Sequence, residues 1–271
     1  MRSPFEIMEV TWLTYTKNWR TLLILPFAMF LISIIPAILF PWAIVANAAP
    51  PNSQELTAYI ATQFVILLIY LYFFYSYLME VWRSLKKIKY TQEEILKSSA
   101  KRFWHTLGAH IITTLLIIAA SGAYILLYWL LYTDAITTGN QILAWPLILG
   151  LPLLIPGIYV SVRYVATVLT SAIDDTHVIK AFKESEKLTQ GRWWKVCERL
   201  FIPAIMWTVA IGVLFLALVI ALIVIFAMNP QALTVSHSYI LLIAQGLLET
   251  LLFLPLTTIS IVVLYQDLKK K

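Results

Sequence analysis

Six long stretches nearly free of ionisable side chains set the limits on what this chain can fold into: residues 21–45, 56–79, 107–132, 142–162, 200–228 and 239–265. Only the last of them holds a carboxylate, Glu249. A helix needs about 20 apolar residues to cross a ~30 Å hydrocarbon layer, so each stretch is long enough to span. Barrel strands would alternate polar and apolar side chains over ~10 residues, whereas runs such as Val213 to Phe226 are apolar on every face. The expectation is an all-α polytopic membrane protein with six transmembrane helices. Composition agrees: 61% hydrophobic and 13% charged, against about 45–50% and about 25% in soluble domains. Ala46-Asn47-Ala48 resembles a signal cleavage site. The apolar stretch before it is about twice the usual length and contains Pro26, Pro36 and Pro41, so it reads as a retained first helix.

Charge orders the connections. Residues 46–55, 133–141 and 229–238 contain no Lys or Arg, whereas 82–106 and 170–199 hold thirteen between them. With Arg2, Lys17, Arg20, Arg163 and Lys269 to Lys271, all 20 basic residues fall on one side. The positive-inside rule makes that side the cytoplasm, with both termini there, in the cell (cytoplasmic) membrane. The lone Cys197 is placed on the same side and excludes an internal disulfide.

The outward helices start near residues 21, 107 and 200, a repeat of about 90 residues. One membrane domain over 1–271 is expected, as three hairpins (1–82, 83–170 and 171–271), each preceded by a cytoplasmic amphipathic helix. Ser3-Pro4-Phe5-Glu6 and Thr91-Gln92-Glu93-Glu94 read as capping boxes, and Asp174-Asp175-Thr176 offers caps for the third segment. On the first segment Phe5, Met8, Trp12, Tyr15 and Trp19 share a helical stripe that suits the headgroup layer. On the third, Val178, Phe182, Ser185 and Leu188 form a weaker stripe ending near Gly191.

The run Ile155-Pro156-Gly157-Ile158-Tyr159-Val160-Ser161-Val162-Arg163-Tyr164 leads into Asp174-Asp175 and then into Ala181 to Trp194. This passage resembles a broad group of bacterial and archaeal membrane proteins, among them the membrane domain found beside glycerophosphoryl diester phosphodiesterases and several six-helix families of unknown function. Leu264-Tyr265-Gln266-Asp267-Leu268-Lys269 resembles the closing motif of the same group. The resemblance implies the six-helix fold and no diesterase activity, because that chemistry belongs to a separate soluble barrel and no soluble segment here exceeds about 30 residues.

Polar residues at membrane depth are the candidates for chemistry. Glu249 lies about ten residues into the sixth stretch, near the midplane, where a carboxylate is costly and therefore a functional candidate. The competing reading is a protonated carboxyl bonded to Gln245, one turn away, or to Gln63. Arg163 lies just inside the boundary, where it snorkels to lipid phosphates or meets an acidic group such as Glu80. Pro146, Pro152, Pro156, Gly150 and Gly157 mark a helix break in the fourth stretch, either a kink or a midplane binding site. At the basic rim, Lys183, Lys187, Arg192, Trp193, Trp194, Lys195, Lys97, Lys101, Trp104, Trp12 and Trp19 form the surface expected to meet lipid headgroups or a partner.

Metal and nucleophile readings fail on spacing. His105 and His110 are five apart, His177 and His237 are expected on opposite sides, and no Gly-rich phosphate loop or zinc-protease motif is present. No metal and no cofactor is expected, and no enzymatic activity. The net charge of +6 comes from the rim, which argues for anionic phospholipids as partners and against nucleic acid. A membrane-protein partner or a second copy of the chain is the further candidate. The leading reading is a non-enzymatic membrane scaffold or accessory protein. The alternative is a small transporter or channel using Glu249 and the Pro-Gly region.

Overall fold

The computed structural model describes residues 1–40, 51–138, 150–227 and 243–270. Among them there are helices and connections and no strands. The helices are α1 (Pro4–Leu22), α2 (Ile24–Leu39), α3 (Ser53–Leu85), α4 (Gln92–Ala120), α5 (Gly122–Thr138), α6 (Ile155–Arg163), α7 (Thr167–Asp174), α8 (Val178–Thr189), α9 (Trp193–Ala227) and α10 (Ile243–Lys269). Five helical segments are long and apolar enough to cross a membrane, and a sixth is the pair α1 and α2, bent by 65°. The expectation of a multi-pass, all-helical membrane protein is borne out.

Local chemistry sets the helix ends. Ser3 N–H donates to Glu6 at 2.6 Å while Glu6 N–H donates to Ser3 Oγ at 3.2 Å, the capping box read from sequence. Thr91 and Glu94 make the same reciprocal pair ahead of α4. Asn52 and Glu55 form a third box at the start of α3, which the sequence reading missed. At the other end of α3, Lys87 N–H reaches Ser84 O and Ile88 N–H reaches Arg83 O, both at 3.0 Å. This Schellman closure puts Lys87 in the left-handed region, φ 55°, where glycine is the usual residue.

Two expectations are corrected. α4 runs unbroken from Gln92 to Ala120, so the second amphipathic segment and the third span are one helix. Nothing between residues 100 and 110 interrupts it: there is no proline, and Gly108 instead admits Val178 Cγ2 at 3.3 Å from where a Cβ would lie. The break comes later, at Ser121, between α4 and α5. In the third segment the N-cap position falls one residue after the expected Asp174-Asp175-Thr176. The N-cap of α8 is His177, without a side-chain cap bond. Asp175 ends α7 with φ 58°, and Thr176 Oγ1 donates back to Thr170 O at 3.0 Å.

The helices gather into two compact units, Met1–Phe103 with Glu198–Lys271, and Trp104–Cys197. These boundaries cut across the second and third repeat segments expected from sequence. In the first unit α1 packs on α10 and α3, and α2 on α3. Its fully buried side chains include Ile7, Leu22, Met29, Tyr77, Val81, Ile259 and Leu264. The buried side chains of α3 cluster at its C-terminal end, Tyr75 to Val81. Farther along the spans the side chains are open: Val209, Val213, Leu214 and Ile220 of α9 are each more than half exposed, as lipid-facing residues are. In the second unit α7 packs on α8, with Ala166, Ala181 and Val196 fully buried.

Candidate functional site

Arg163 stands at a break in the backbone. α6 ends at Arg163 with Tyr164 as its C-cap, and Thr167 N–H turns to Tyr164 O at 3.0 Å, which deprives Arg163 O of its helical donor. Ser185 Oγ (3.0 Å) and Thr189 Oγ1 (3.2 Å) of α8 donate to that carbonyl instead. Ala181, Ser185 and Thr189 form the buried stripe of α8, one turn apart, and their small size admits the approach. This stripe replaces the expected Val178, Phe182, Ser185, Leu188 one, of which Ser185 alone is buried.

The Arg163 guanidinium ion-pairs with Glu186 and donates to Tyr159 Oη at 2.5 Å. Its carboxylate partner arrives from α8. Trp193 stacks on Tyr159 at 5.8 Å and its indole N–H donates to Tyr159 O at 3.2 Å. Trp193 is therefore a packing residue, whereas its neighbour Trp194 is 76% exposed.

Leu151–Leu154 form a single 3-10 turn with Pro152 in it, and α6 starts with Pro156 in its first turn. Gly157 is the contact point: a Cβ there would lie 1.9 Å from Ser121 Oγ. Pro146 lies outside the described residues.

Glu249 accepts from Gln245 Nε2 at 2.8 Å, the partner the sequence named. The pair lines a cleft of about 450 Å³ with Thr208, Ile211, Phe215 and Phe253, so its walls are mainly apolar. A π-helical turn runs from Glu249 to Phe253, just before Pro255. Pro255 has no N–H to donate to Leu251 O. Tyr15 Oη of α1 supplies that donor at 2.9 Å.

The rim residues are mostly open. Lys183, Lys187, Lys195 and Lys101 are exposed and Arg192 half-buried, while Lys97 is exposed but held by Glu93. Trp104, Trp12 and Trp19 are exposed, with Trp12 also stacked on Trp207 at 6.3 Å. Trp207 Nε1 lies 3.3 Å from Ser260 Oγ, which in turn meets Thr11 Oγ1 at 3.1 Å. On α1, Tyr15 leaves the expected aromatic stripe and joins Ile7 and Thr11 on the buried side.

The sequence reading named Glu80 only as a candidate partner of Arg163, and two features escaped it: the burial of Glu80 against Gln92, and a second cleft. Glu80, fully buried near the end of α3, accepts from Gln92 Nε2 at 2.6 Å. Burial, reinforced by the Glu80 charge and opposed by Arg83, pushes the Tyr90 phenol up to about 12, so it stays a neutral donor. The second feature is a cleft of about 800 Å³ between α1, the connection after α3 and the end of α10. Its ionisable walls are Arg2, Lys17, Lys87, Lys89 and Tyr90, and no carboxylate lines it.

No group of three His, Cys, Asp or Glu side chains is placed to hold a metal among the described residues. His105 and His177 do meet edge to face, at 4.4 Å. His237 lies outside the described residues. Comparison with family models, with curated proteins and with solved structures gives no match.

Proposed function

We propose that this chain is a non-enzymatic multi-pass protein of the cytoplasmic membrane, a scaffold or accessory protein whose basic face holds anionic phospholipids. Its spans form three hairpins with both termini in the cytoplasm, and the six-helix relatives of the glycerophosphoryl diester phosphodiesterase membrane domain are the family it fits by motif. A membrane-protein partner or a second copy of the chain would be gathered against the same face.

The observation that carries this reading is the two-sided character of α1. Ile7, Thr11 and Tyr15 are buried, while Phe5 (67%), Trp12 (49%) and Trp19 (49%) stay exposed on a helix bent 65° away from α2. A helix turned so far from the span that follows it, with aromatics on its free side, suits the plane of the headgroups. The exposed Ile179, Lys183 and Lys187 of α8, and Trp194 beside them, suit the same layer. The mainly apolar walls around Glu249 favour a hydrogen-bonding role for that carboxyl over a transport path.

Spin labels test this reading in bilayers containing anionic lipid. Labels at Trp12 and Trp19 should report headgroup depth and a label at Glu9 should report water. Equal depth for all three would reject an interfacial α1.

A further inference from the structure

We infer that the cleft between α1, the α3–α4 connection and the end of α10 binds one phosphorylated lipid headgroup, held by Lys17, Lys87 and Lys89 and by the amide of Gln266. The inference rests on the proposed placement of α1 in the headgroup layer and adds to it a defined site in place of a diffuse charged surface.

Charge is the first argument. Arg2 is held by Asp267, at 3.2 Å through its guanidinium and 2.9 Å through its backbone N–H. Lys17, Lys87 and Lys89 have no carboxylate within ion-pair distance among the described residues. Three like charges lining one cleft repel one another, and a bound anion removes that repulsion. The second argument is an unmet donor: Gln266 lines the cleft, and its Nε2, buried behind that wall, has no hydrogen-bond partner. A phosphate oxygen is the acceptor such an amide lacks.

Backbone geometry adds a third. Lys87 occupies the left-handed position that closes α3, φ 55°, where glycine would fit without strain. A lysine kept there puts an ammonium on the cleft wall at a cost to the fold, the pattern of a residue retained for its side chain.

Shape decides between a lipid and a soluble anion. About 800 Å³ exceeds the needs of a phosphate ion and lies within the usual range of small-molecule sites. Leu13 (57%) and Ile88 (51%) are exposed beside the lysines, an apolar wall that suits glycerol and the first acyl carbons. A free phosphate would leave that wall in water.

The test uses the full chain in neutral phosphatidylcholine nanodiscs, titrated with short-chain dioctanoyl phosphatidylglycerol. Saturable binding of one lipid per chain is expected. Lys17→Gln, Lys87→Gln and Lys89→Gln together should weaken it by about a hundredfold, from roughly fivefold per lysine near an anionic headgroup. Lys86→Gln removes the same charge one residue away and should leave binding unchanged, because Lys86 does not line the cleft and lies over Trp82 at 5.1 Å. Lys87→Gly should bind more weakly while melting at a higher temperature, a combination that a lysine with only a structural role would not give.

Equal weakening by Lys86→Gln and Lys87→Gln would overturn the site in favour of diffuse attraction. Competition by glycerol phosphate or inorganic phosphate as strong as that of the lipid would overturn the lipid assignment. If the spin labels place α1 at headgroup depth but no saturable lipid appears, the cleft fails alone; if the labels lie at one depth, the wider reading fails first.

Discussion

Gly157 is glycine because Ser121 fills the space its Cβ would need. The Ser121 hydroxyl can rotate away, but a new methyl would still lie 3.2 Å from Ser121 Cβ and 3.7 Å from Ile117 O. Gly157→Ala should therefore cost about 1–3 kcal/mol as an overpacking change. Thermal unfolding should show a lowered midpoint that Ser121→Gly largely restores, and an unshifted midpoint would deny the contact. Sequence pointed to Gly157 as part of a break but not to its neighbour, since nothing near Ser121 in the chain announces that the fourth span crosses there. Arg163 was legible in the same partial way. An acidic partner was one of the readings its position suggested, but Glu186 fills that place because the backbone breaks after Tyr164 and draws α8 in through Ser185 and Thr189.

α10 shows how a whole element is tied to its neighbours without hydrophobic drive between helices, which lipid does not supply. Pro255 frees Leu251 O, the π turn re-pairs Glu249 O with Leu254 N–H, and Tyr15 of α1 takes the freed carbonyl. Tyr15→Phe should then lower stability by about 1 kcal/mol. Glu249→Gln, which keeps an acceptor for Gln245, should leave the melting temperature nearly unchanged. Reversal of that order in thermal melts would move the structural weight from α1 to the carboxyl.

Helix starts were legible at Ser3 and Thr91, because both partners of a capping box lie within four residues, although the equally local box of Asn52 and Glu55 was missed. The buried side of α1 was less legible. Aromatic residues mark a stripe by size, whereas Ile7 and Thr11 are buried for reasons held in distant segments: Thr11 meets Ser260 of α10. The continuity of α4 was missed because a change in composition near residue 106, from polar to apolar, looks like a boundary although no backbone feature makes one.

Across the whole chain the clearest signal is charge. All 20 basic residues fall outside or at the rim of the apolar stretches, and the connections at 46–55, 133–141 and 229–238 hold none. Hydropathy and charge are sums over many residues, so they survive errors about any single contact. The clefts do not have that protection: Lys17, Lys87 and Gln266 are far apart in sequence and meet only once α1, α3 and α10 have packed.

The proposal that this protein presents one basic cytoplasmic face to anionic lipid stands or falls on orientation. Reporter fusions at Asn52, Gly139 and Ser236, the last two outside the described residues, should report the outer side, with fusions at Lys89 and Lys187 reporting the cytoplasm. A cytoplasmic signal from any of the first three, or an outer signal from either lysine, would contradict the account.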